Sequence, residues 1–352
     1  MKKHYTVIVP ALDFTGPINV AIDLAREVSR QGWKVSILYL NEPFLRNDTN
    51  FADEVRKFKY QDILKIDGVV HTHCMRPDLL GFFLSLKKSC RVFSTAHNFF
   101  LFDVGFGRSK HLVYFLWLLW KFSVSRFEAV VSISEPMLRY YRKKMPKANH
   151  VLIHNFRGKN EAISSVDNDL LEWVKLNRSM GRKLLVFVGS VSERKNVLIF
   201  SKILSLDDQV SIAVIGTGPL EEKLKDEVVE AGCADRIFFA GHVKNPSSIL
   251  IYFDALILPS HAEGFPLVVI EAASVGIPSL LSNIAVHREL ERLGFGVVFD
   301  HKLLKNFSVF LNVLINKYGS DVNDLTNVWS KSYTPEAGAK KYVNLFERQR
   351  EK

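Results

Sequence analysis

Ala255-Leu-Ile-Leu258, then Pro-Ser, then His261-Ala-Glu-Gly-Phe-Pro-Leu-Val-Val-Ile-Glu-Ala-Ala-Ser-Val-Gly-Ile-Pro278, is the stretch on which the reading of the chain turns. A short aliphatic run with no polar interruption predicts a strand covered on both faces, the kind that parallel sheets use. A helix is expected to open at about Phe265, with Pro266 in its first turn, where the missing N–H leaves no bond unmade. Glu263-Gly264 is then a tight turn at a helix N-terminus, where unpaired N–H groups and the helix dipole favour an anion. Glu271 follows Glu263 by eight positions, two helical turns further along, inside Val-Val-Ile-Glu-Ala-Ala. Burying a carboxylate there without a partner is costly, so Glu271 is expected to do more than cap the helix or pair with a neighbouring Arg.

Short apolar runs alternate with helical patterns on both sides of this stretch. In the first half the expected strands are Tyr5–Pro10, Lys34–Leu40, Gly68–His73, Arg91–Thr95, Ala129–Ile133 and His150–Ile153. Val20, Leu24 and Val28 show a helical period that stops at Gln31-Gly32, as a glycine past the last turn requires. Phe156 to about Asp169 is polar, has no apolar period and reads as a linker. The alternation restarts with Lys183–Val188, Val210–Ile215, Arg236–Ala240, Ala255–Leu258 and Ile277–Leu281. This predicts an α/β chain of two doubly wound parallel sheets, residues 1–165 and 166–333, with ligands at the carboxyl ends of the strands in a cleft between them. The length of 352 residues agrees with two domains. There is no repeat and no low-complexity tract.

Composition excludes fibrous and disordered classes: 47% of the residues are hydrophobic and 24% charged, with 19 Gly and 12 Pro. Cys74, Cys90 and Cys233 are odd in number and form no CxxC pair, so neither a disulfide framework nor a structural zinc site is expected, and a reducing cytosol fits. Met1-Lys-Lys-His-Tyr5 runs directly into a strand, with no secretion signal in view. The net charge of +10 is uneven: residues 1–165 carry +11 and residues 166–352 carry −1. A basic half beside a neutral one points to an anionic partner for the first domain, against the plainer reading of a solvated basic surface.

Glu263-x7-Glu271, with Gly264-Phe-Pro266 directly after its first Glu and Gly276-x-Pro278 beyond its second, resembles the donor-site signature of the family 4 type of retaining glycosyltransferases, which have the two-Rossmann-domain (GT-B) fold. Val188-Gly-Ser-Val-Ser-Glu-Arg-Lys-Asn196, Ile215-Gly-Thr-Gly-Pro219, Phe239-Ala-Gly-His242 and Leu258-Pro-Ser260 are similar to further parts of that family, so the resemblance covers nearly all of the second half and most of the first. It implies that Arg194 and Lys195 neutralise a diphosphate leaving group without a metal. It further implies that Glu271 accepts from ribose hydroxyls and that Glu263 holds hydroxyls of the transferred sugar. The backbone of Gly264, Phe265, Leu267 and Val268 would lie near the diphosphate or sugar, with Ser190 and Gly216 completing the donor site. Many relatives have Arg where this chain has Ser190, and Arg194 is the candidate substitute. In retaining transfer of this type the acceptor arrives on the face from which the phosphate leaves, so the leaving group can take the acceptor's proton.

In the first half Pro10-Ala-Leu-Asp-Phe-Thr-Gly-Pro-Ile-Asn19 resembles the family's glycine-bearing loop, in which Gly16 lets backbone approach the donor phosphate. It is not GxGxxG, which argues against a nicotinamide dinucleotide. Ser94-Thr-Ala-His-Asn98 is similar to the family's sugar-side histidine motif, which makes His97 the fourth catalytic candidate with Glu263, Lys195 and Arg194. Ser134 in Ile133-Ser-Glu-Pro136 reads as a helix N-cap, as does Thr334 in Tyr333-Thr-Pro-Glu336, with Pro335 at the first helical position. The last helix, 334–352, is expected to cross back onto the first domain, as in the family. His71, His73 and Cys74 have a metal-like composition but no carboxylate beside them, and metal binding is not expected. No Asp-x-Asp pair with further ligands stands in the second half, and no cofactor is expected.

Leu112-Val-Tyr-Phe-Leu-Trp-Leu-Leu-Trp120 is nine apolar residues, four of them aromatic, flanked by Arg108, Lys110, Lys121 and Arg126. A bilayer span needs about 20. The run suits an interfacial helix with Trp and Tyr at headgroup depth and Lys/Arg on anionic phosphates, against the alternative of a buried helix. The expected protein is cytoplasmic and peripheral on the inner face of the membrane. It would transfer a hexosyl group from a nucleotide sugar to a glycan or lipid-linked acceptor in bacterial surface polysaccharide or lipopolysaccharide synthesis. Uridine diphosphate is the expected carrier and guanosine diphosphate the next choice, and no nucleic acid partner is expected. An epimerase-type two-Rossmann enzyme and a non-catalytic nucleotide-sugar-binding relative are the competing readings.

Overall fold

The computed structural model describes residues 3–42, 48–103, 109–159, 167–243, 246–319 and 322–348. The chain divides into two compact units, Met1–Arg157 with Tyr333–Lys352, and Gly158–Ser332. The first unit holds seven strands: β1 (His4–Val9), β2 (Lys34–Tyr39), β3 (Glu54–Lys57), β4 (Gly68–His73), β5 (Cys90–Ala96), β6 (Ala129–Ser132) and β7 (His150–Leu152). Their order in the sheet is β3-β2-β1-β4-β5-β6-β7, and every pairing is parallel. The second unit holds β8 (Lys183–Val188), β9 (Val210–Ile215), β10 (Ile237–Gly241), β11 (Ala255–Leu258), β12 (Ser279–Ser282) and β13 (Gly296–Phe299), in the order β10-β9-β8-β11-β12-β13, again all parallel. In each unit the order reverses beside the first strand, between β1 and β4 and between β8 and β11, which is where open α/β sheets leave a crevice at the strand ends.

Eleven of the thirteen strands fall on the apolar runs named above, within two residues at either end. The two others, β3 and β13, are sheet edges of four residues each. Glu-Val-Arg-Lys in β3 has too little apolar character to announce a strand, and Gly-Val-Val-Phe in β13 is too short for a period to register.

The polar segment read as a linker begins too early. Phe156 is fully buried, and a Cβ on Gly338 would lie 2.0 Å from its ring, so glycine is what lets the last helix, Pro335–Glu347, approach it. Arg157 pairs with Asp23 at 2.9 Å and its N–H donates to Tyr333 O at 3.0 Å. Residues 160–166 lie outside the described residues, and Asn168 already opens the helix Asn168–Ser179. Thr334 caps the last helix by accepting from Ala337 N at 3.2 Å. That helix packs on Gly16–Arg30 and places Tyr342 and Phe346 over the first sheet, with the Phe346 ring 4.9 Å from that of Phe93 and 5.4 Å from that of Tyr5. Residues 334–348 therefore complete the core of the first unit.

Candidate active site

Two loops at the carboxyl ends of adjacent strands build the cluster. After β8 the chain passes Gly189 and Ser190 into the single 3₁₀ turn Glu193–Lys195, which ends because Asn196 turns left-handed at φ 56°, a conformation asparagine tolerates better than most residues. The Asn196 amide then donates to Pro259 O at 3.2 Å, and His261 N donates to Arg194 O at 2.9 Å. These two bonds tie the loop after β8 to the loop after β11. Gly216, at the end of β9, has no room for a side chain, since a Cβ would fall 2.0 Å from Gly189 O.

The fastened loops bring Arg194, Lys195 and Glu263 together. Lys195 Nζ donates to Glu263 Oε1 at 2.6 Å, Ser260 Oγ donates to the same oxygen at 2.7 Å, and Arg194 Nη1 lies 3.4 Å from Oε2 while donating to Ala262 O at 2.9 Å. Lys195 and Glu263 are buried. Burial alone would raise the Glu263 pKa, but the charges of Lys195 and Arg194 and the hydrogen bonds from Lys195 and Ser260 prevail and hold it at about 2. The site is thus a carboxylate locked against two cations, with four charge-assisted or hydroxyl contacts holding the geometry.

Two residues behind Glu263, Ser282 and His287, went unread in the sequence, and Ser260 was read only as part of a strand end. Ser282 Oγ donates to Ser260 O at 2.6 Å, and the fully buried His287 places Nδ1 2.9 Å from Ser282 O and 3.0 Å from Ser282 Oγ. A proton on Nδ1 satisfies the carbonyl contact, so the chain His287, Ser282, Ser260 supports the carboxylate from below. Burial draws the His287 pKa down to about 4, with Glu263 opposing. A serine at each of two strand ends, Leu258-Pro-Ser260 and Ser279–Ser282, was the available sequence signal, but serine is too common there to single out.

The helix after the Glu-Gly turn spans Leu267–Ser274, two residues later than expected, because Pro266 sits at the cap with extended backbone (φ −70°, ψ 120°) instead of in the first turn. Glu263 therefore belongs to the loop, and the eight-residue interval runs from the loop to the second helical turn, where Glu271 is partly exposed. Gly264, Phe265 and Val268 are buried beside the turn, Leu267 is half-buried and Ser190 is exposed. Asp167-Asn-Asp169, an Asp-x-Asp sequence of this unit, is used as a helix cap, with Asp167 Oδ1 accepting from Asp169 N at 2.9 Å. Among the described residues no three His, Cys, Asp or Glu side chains are grouped to hold a metal ion.

In the first unit Gly16 opens the helix Gly16–Arg30 beyond the end of β1, and His97 follows the end of β5. Ser134 caps its helix as read, accepting from Met137 N at 3.4 Å. His71 and His73 share one face of β4, fully buried, with His71 between Tyr5 OH (2.9 Å) and Thr95 Oγ1 (2.8 Å).

The apolar run lies in the helix Lys110–Val124, and one part of the interfacial reading is wrong. Trp117 and Trp120 do not face outward: each is 3% exposed. They stack against Phe100 and Tyr141, and Trp120 Nε1 donates to the buried Asp78 at 2.6 Å. Val113, Trp117, Trp120 and Val124 recur with the helical period and form the inward face. The exposed face carries Leu112, Phe115, Leu119 and Phe122, with Tyr114 and Leu118 beside them. Arg108 lies outside the described residues.

Each unit matches a known family: residues 172–323 match the glycosyl transferases group 1, and residues 15–157 match glycosyltransferase family 4. Solved structures agree on the fold. HepE of Anabaena in complex with UDP superposes with a TM-score of 0.75 at 14% identity, covering 98% of this chain and 99% of that one. The sucrose-phosphate synthase of Thermosynechococcus elongatus gives 0.73 at 15% identity, with 98% of both chains covered. The O-antigen biosynthesis glycosyltransferase WclY of Escherichia coli is 24% identical over 98% of each chain, and the lipopolysaccharide core biosynthesis mannosyltransferase LpsB of Rhizobium meliloti is 29% identical over 48% of this chain and 49% of that one. The fold is that of the GT-B proteins, two Rossmann-like domains with parallel sheets. The chain belongs to the glycosyltransferases of the group 1 and family 4 type.

Proposed function

We propose that the chain is a retaining, metal-independent hexosyltransferase that uses a nucleoside diphosphate sugar, with UDP as the carrier. The observation that carries this reading is the cluster of Lys195, Arg194 and Glu263 at the ends of β8 and β11. Lys195 and Arg194 are two fixed cations at a strand-end crevice, suited to the charge that develops on a departing diphosphate. Glu263, kept ionised at about 2, accepts hydroxyls of the transferred sugar in addition to its bonds from Lys195 and Ser260. Glu271 takes the ribose hydroxyls. The backbone at Gly264, Phe265, Leu267 and Val268, with Ser190 and Gly216, completes the donor side. His97 serves the sugar, and Gly16 gives backbone access to the phosphate. The leaving diphosphate accepts the acceptor's proton on the face from which it departs. UDP is supported by the UDP complex of HepE and by a 28% identical relative named as a UDP-Gal-dependent galactosyltransferase.

The acceptor is a glycan or lipid-linked glycan of a bacterial surface polysaccharide or lipopolysaccharide, in line with the O-antigen and lipopolysaccharide names of WclY and LpsB. The enzyme works in the cytoplasm, against the inner face of the membrane. Among the described residues no helix is long and apolar enough to cross a membrane. The exposed apolar face of Lys110–Val124, with Lys110, Lys121 and Arg126 at its borders, rests on anionic lipid instead. A panel of nucleoside diphosphates in a thermal melt tests the donor reading, because a ligand at 100 times its Kd stabilises by about 2.7 kcal/mol. Proton NMR of the anomeric centre in the product tests retention. No shift with any nucleotide, or an inverted product, overturns the corresponding claim.

A further inference from the structure

Behind His97 the first unit carries a file of buried ring nitrogens that the reading above leaves unused. β4 and β5 pair so that His73 stands opposite Thr95, two residues before His97. His73 Nδ1 lies 2.9 Å from His97 Nε2, with the rings stacked at 5.2 Å and 26°. On the other side the His71 ring is 4.2 Å from that of His73, and both His71 nitrogens are occupied by Tyr5 OH and Thr95 Oγ1. His73 Nε2 is buried with no hydrogen-bond partner.

These contacts fix where the protons go. Burial draws the His71 and His97 pKa values down to about 3 and that of His73 well below its usual range, so all three rings are neutral at physiological pH and each carries one N–H. Between His73 and His97 one nitrogen donates and the other accepts. If His73 carried its hydrogen on Nε2, a buried N–H would have no acceptor, and orphaned donors are rarer than unfilled acceptors. The hydrogen therefore belongs on Nδ1, directed at His97 Nε2. His97 must then hold its own hydrogen on Nδ1, the nitrogen not engaged by His73.

We propose that His73 is a positioning residue: by donating from Nδ1 to His97 Nε2 it fixes the His97 ring in the Nδ1–H tautomer, so that His97 offers a hydrogen-bond donor to an oxygen of the bound donor sugar. This deepens the role given to His97 above and rests on it. The surroundings of the donor are themselves fixed, since His71 wedges the His73 ring and is clamped by Tyr5 and Thr95, with Thr95 Oγ1 also 2.9 Å from Tyr342 OH on the last helix. The recognition element thus extends from His97 to a helix at the far end of the chain.

The test uses the full chain with 15N-labelled histidine. Long-range proton–nitrogen correlation spectra, assigned with His73→Asn and His97→Asn, should show His97 Nδ1 protonated and Nε2 bare. His73→Asn keeps an N–H near the place of Nδ1 and should preserve that tautomer. His73→Leu removes the donor and should release His97 to a tautomer mixture. UDP release from UDP-glucose and UDP-galactose without acceptor should fall about tenfold in His73→Leu, the worth of one hydrogen bond of roughly 1.4 kcal/mol, and recover in His73→Asn, with affinity for free UDP unchanged in both. A wild-type His97 protonated on Nε2 overturns the proposal, and so does an unchanged tautomer in His73→Leu. If His73→Leu does not fold, the wild-type spectrum and His73→Asn still decide. If the tautomers behave as stated but His97→Asn leaves UDP release unaffected, His97 does not serve the sugar and the donor role proposed for it is overturned.

Discussion

Lys195 Nζ and Glu263 Oε1 stand 2.6 Å apart, 68 residues apart in sequence, with 8% and 7% of their residues exposed. Removing one member of a buried pair leaves the other charge uncompensated, at a cost of about 3–5 kcal/mol. Arg194 still faces Glu263, so Lys195→Met should destabilise by about 3 kcal/mol, at the lower end, as read by urea denaturation. The pH dependence has a definite sign. Glu263 ionises at about 2 in the fold against an ordinary 4.5, so its contribution is complete above 4.5 and is lost as pH falls towards 2. The difference in stability between wild type and Glu263→Gln should shrink across that window, and a constant difference would show that the charge is not what stabilises.

Glu263 and Glu271 should separate in calorimetry with UDP. On the role proposed for it, Glu271→Ala should lose a hydrogen bond from the carrier and weaken free UDP by about 10- to 150-fold, from roughly 1.5–3 kcal/mol. Glu263→Gln should lower turnover of a UDP sugar by a similar factor while leaving UDP affinity equal or higher, because Lys195 and Arg194 are freed of their counter-charge. Equal losses of UDP affinity in both variants would contradict the separation.

Activity should persist in excess chelator if, as proposed, Arg194 and Lys195 supply the positive charge that a divalent ion gives in other transferases. Loss of turnover restored by magnesium or manganese would show that a metal is required.

The helix Lys110–Val124 should divide into two sets of positions. Phe115→Ser with Phe122→Ser removes two exposed aromatic rings and should reduce flotation with vesicles containing anionic lipid at unchanged melting temperature. Trp120→Ala removes a buried side chain and the N–H that Asp78 accepts, and should cost about 3–5 kcal/mol. A wild-type protein that fails to bind anionic vesicles, or binds neutral ones equally well, would leave the membrane proposal without support.

Asp78 provides a second pH signature of opposite sign. Burial pushes its carboxyl up to about 6, against hydrogen bonds from Thr72 and Trp120. Its contribution is present below the ordinary value of 3.8 and is lost as pH rises through about 6. Asp78→Asn should therefore flatten the wild-type decline in stability between pH 4 and 6, which urea titrations across that range would show.

What the sequence determined by itself was whatever rests on neighbours in the chain. Uninterrupted apolar runs such as Ala255–Leu258 and Leu184–Val188 mark buried strands, and hydroxyls before prolines and acids mark the caps at Ser134 and Thr334, because period and capping are local properties. Glu263-x7-Glu271 was legible as a motif for the same reason. The tertiary structure decided everything that depends on which distant groups meet. Lys195 is the counter-ion of Glu263 because β8 and β11 are neighbours in the sheet, and no spacing encodes that adjacency. Phe156 lies in the core because Gly338, 182 residues later, leaves room for its ring. The helix through Leu112–Trp120 is apolar all round, so no period distinguishes its faces; only the ring stack with Phe100 and Tyr141 and the acceptor on Asp78 turned its tryptophans inward. His287 gave no signal at all and His73 only a metal-like composition that was set aside, since a histidine in a strand or helix acquires its role from the atom that folding places against its ring nitrogen.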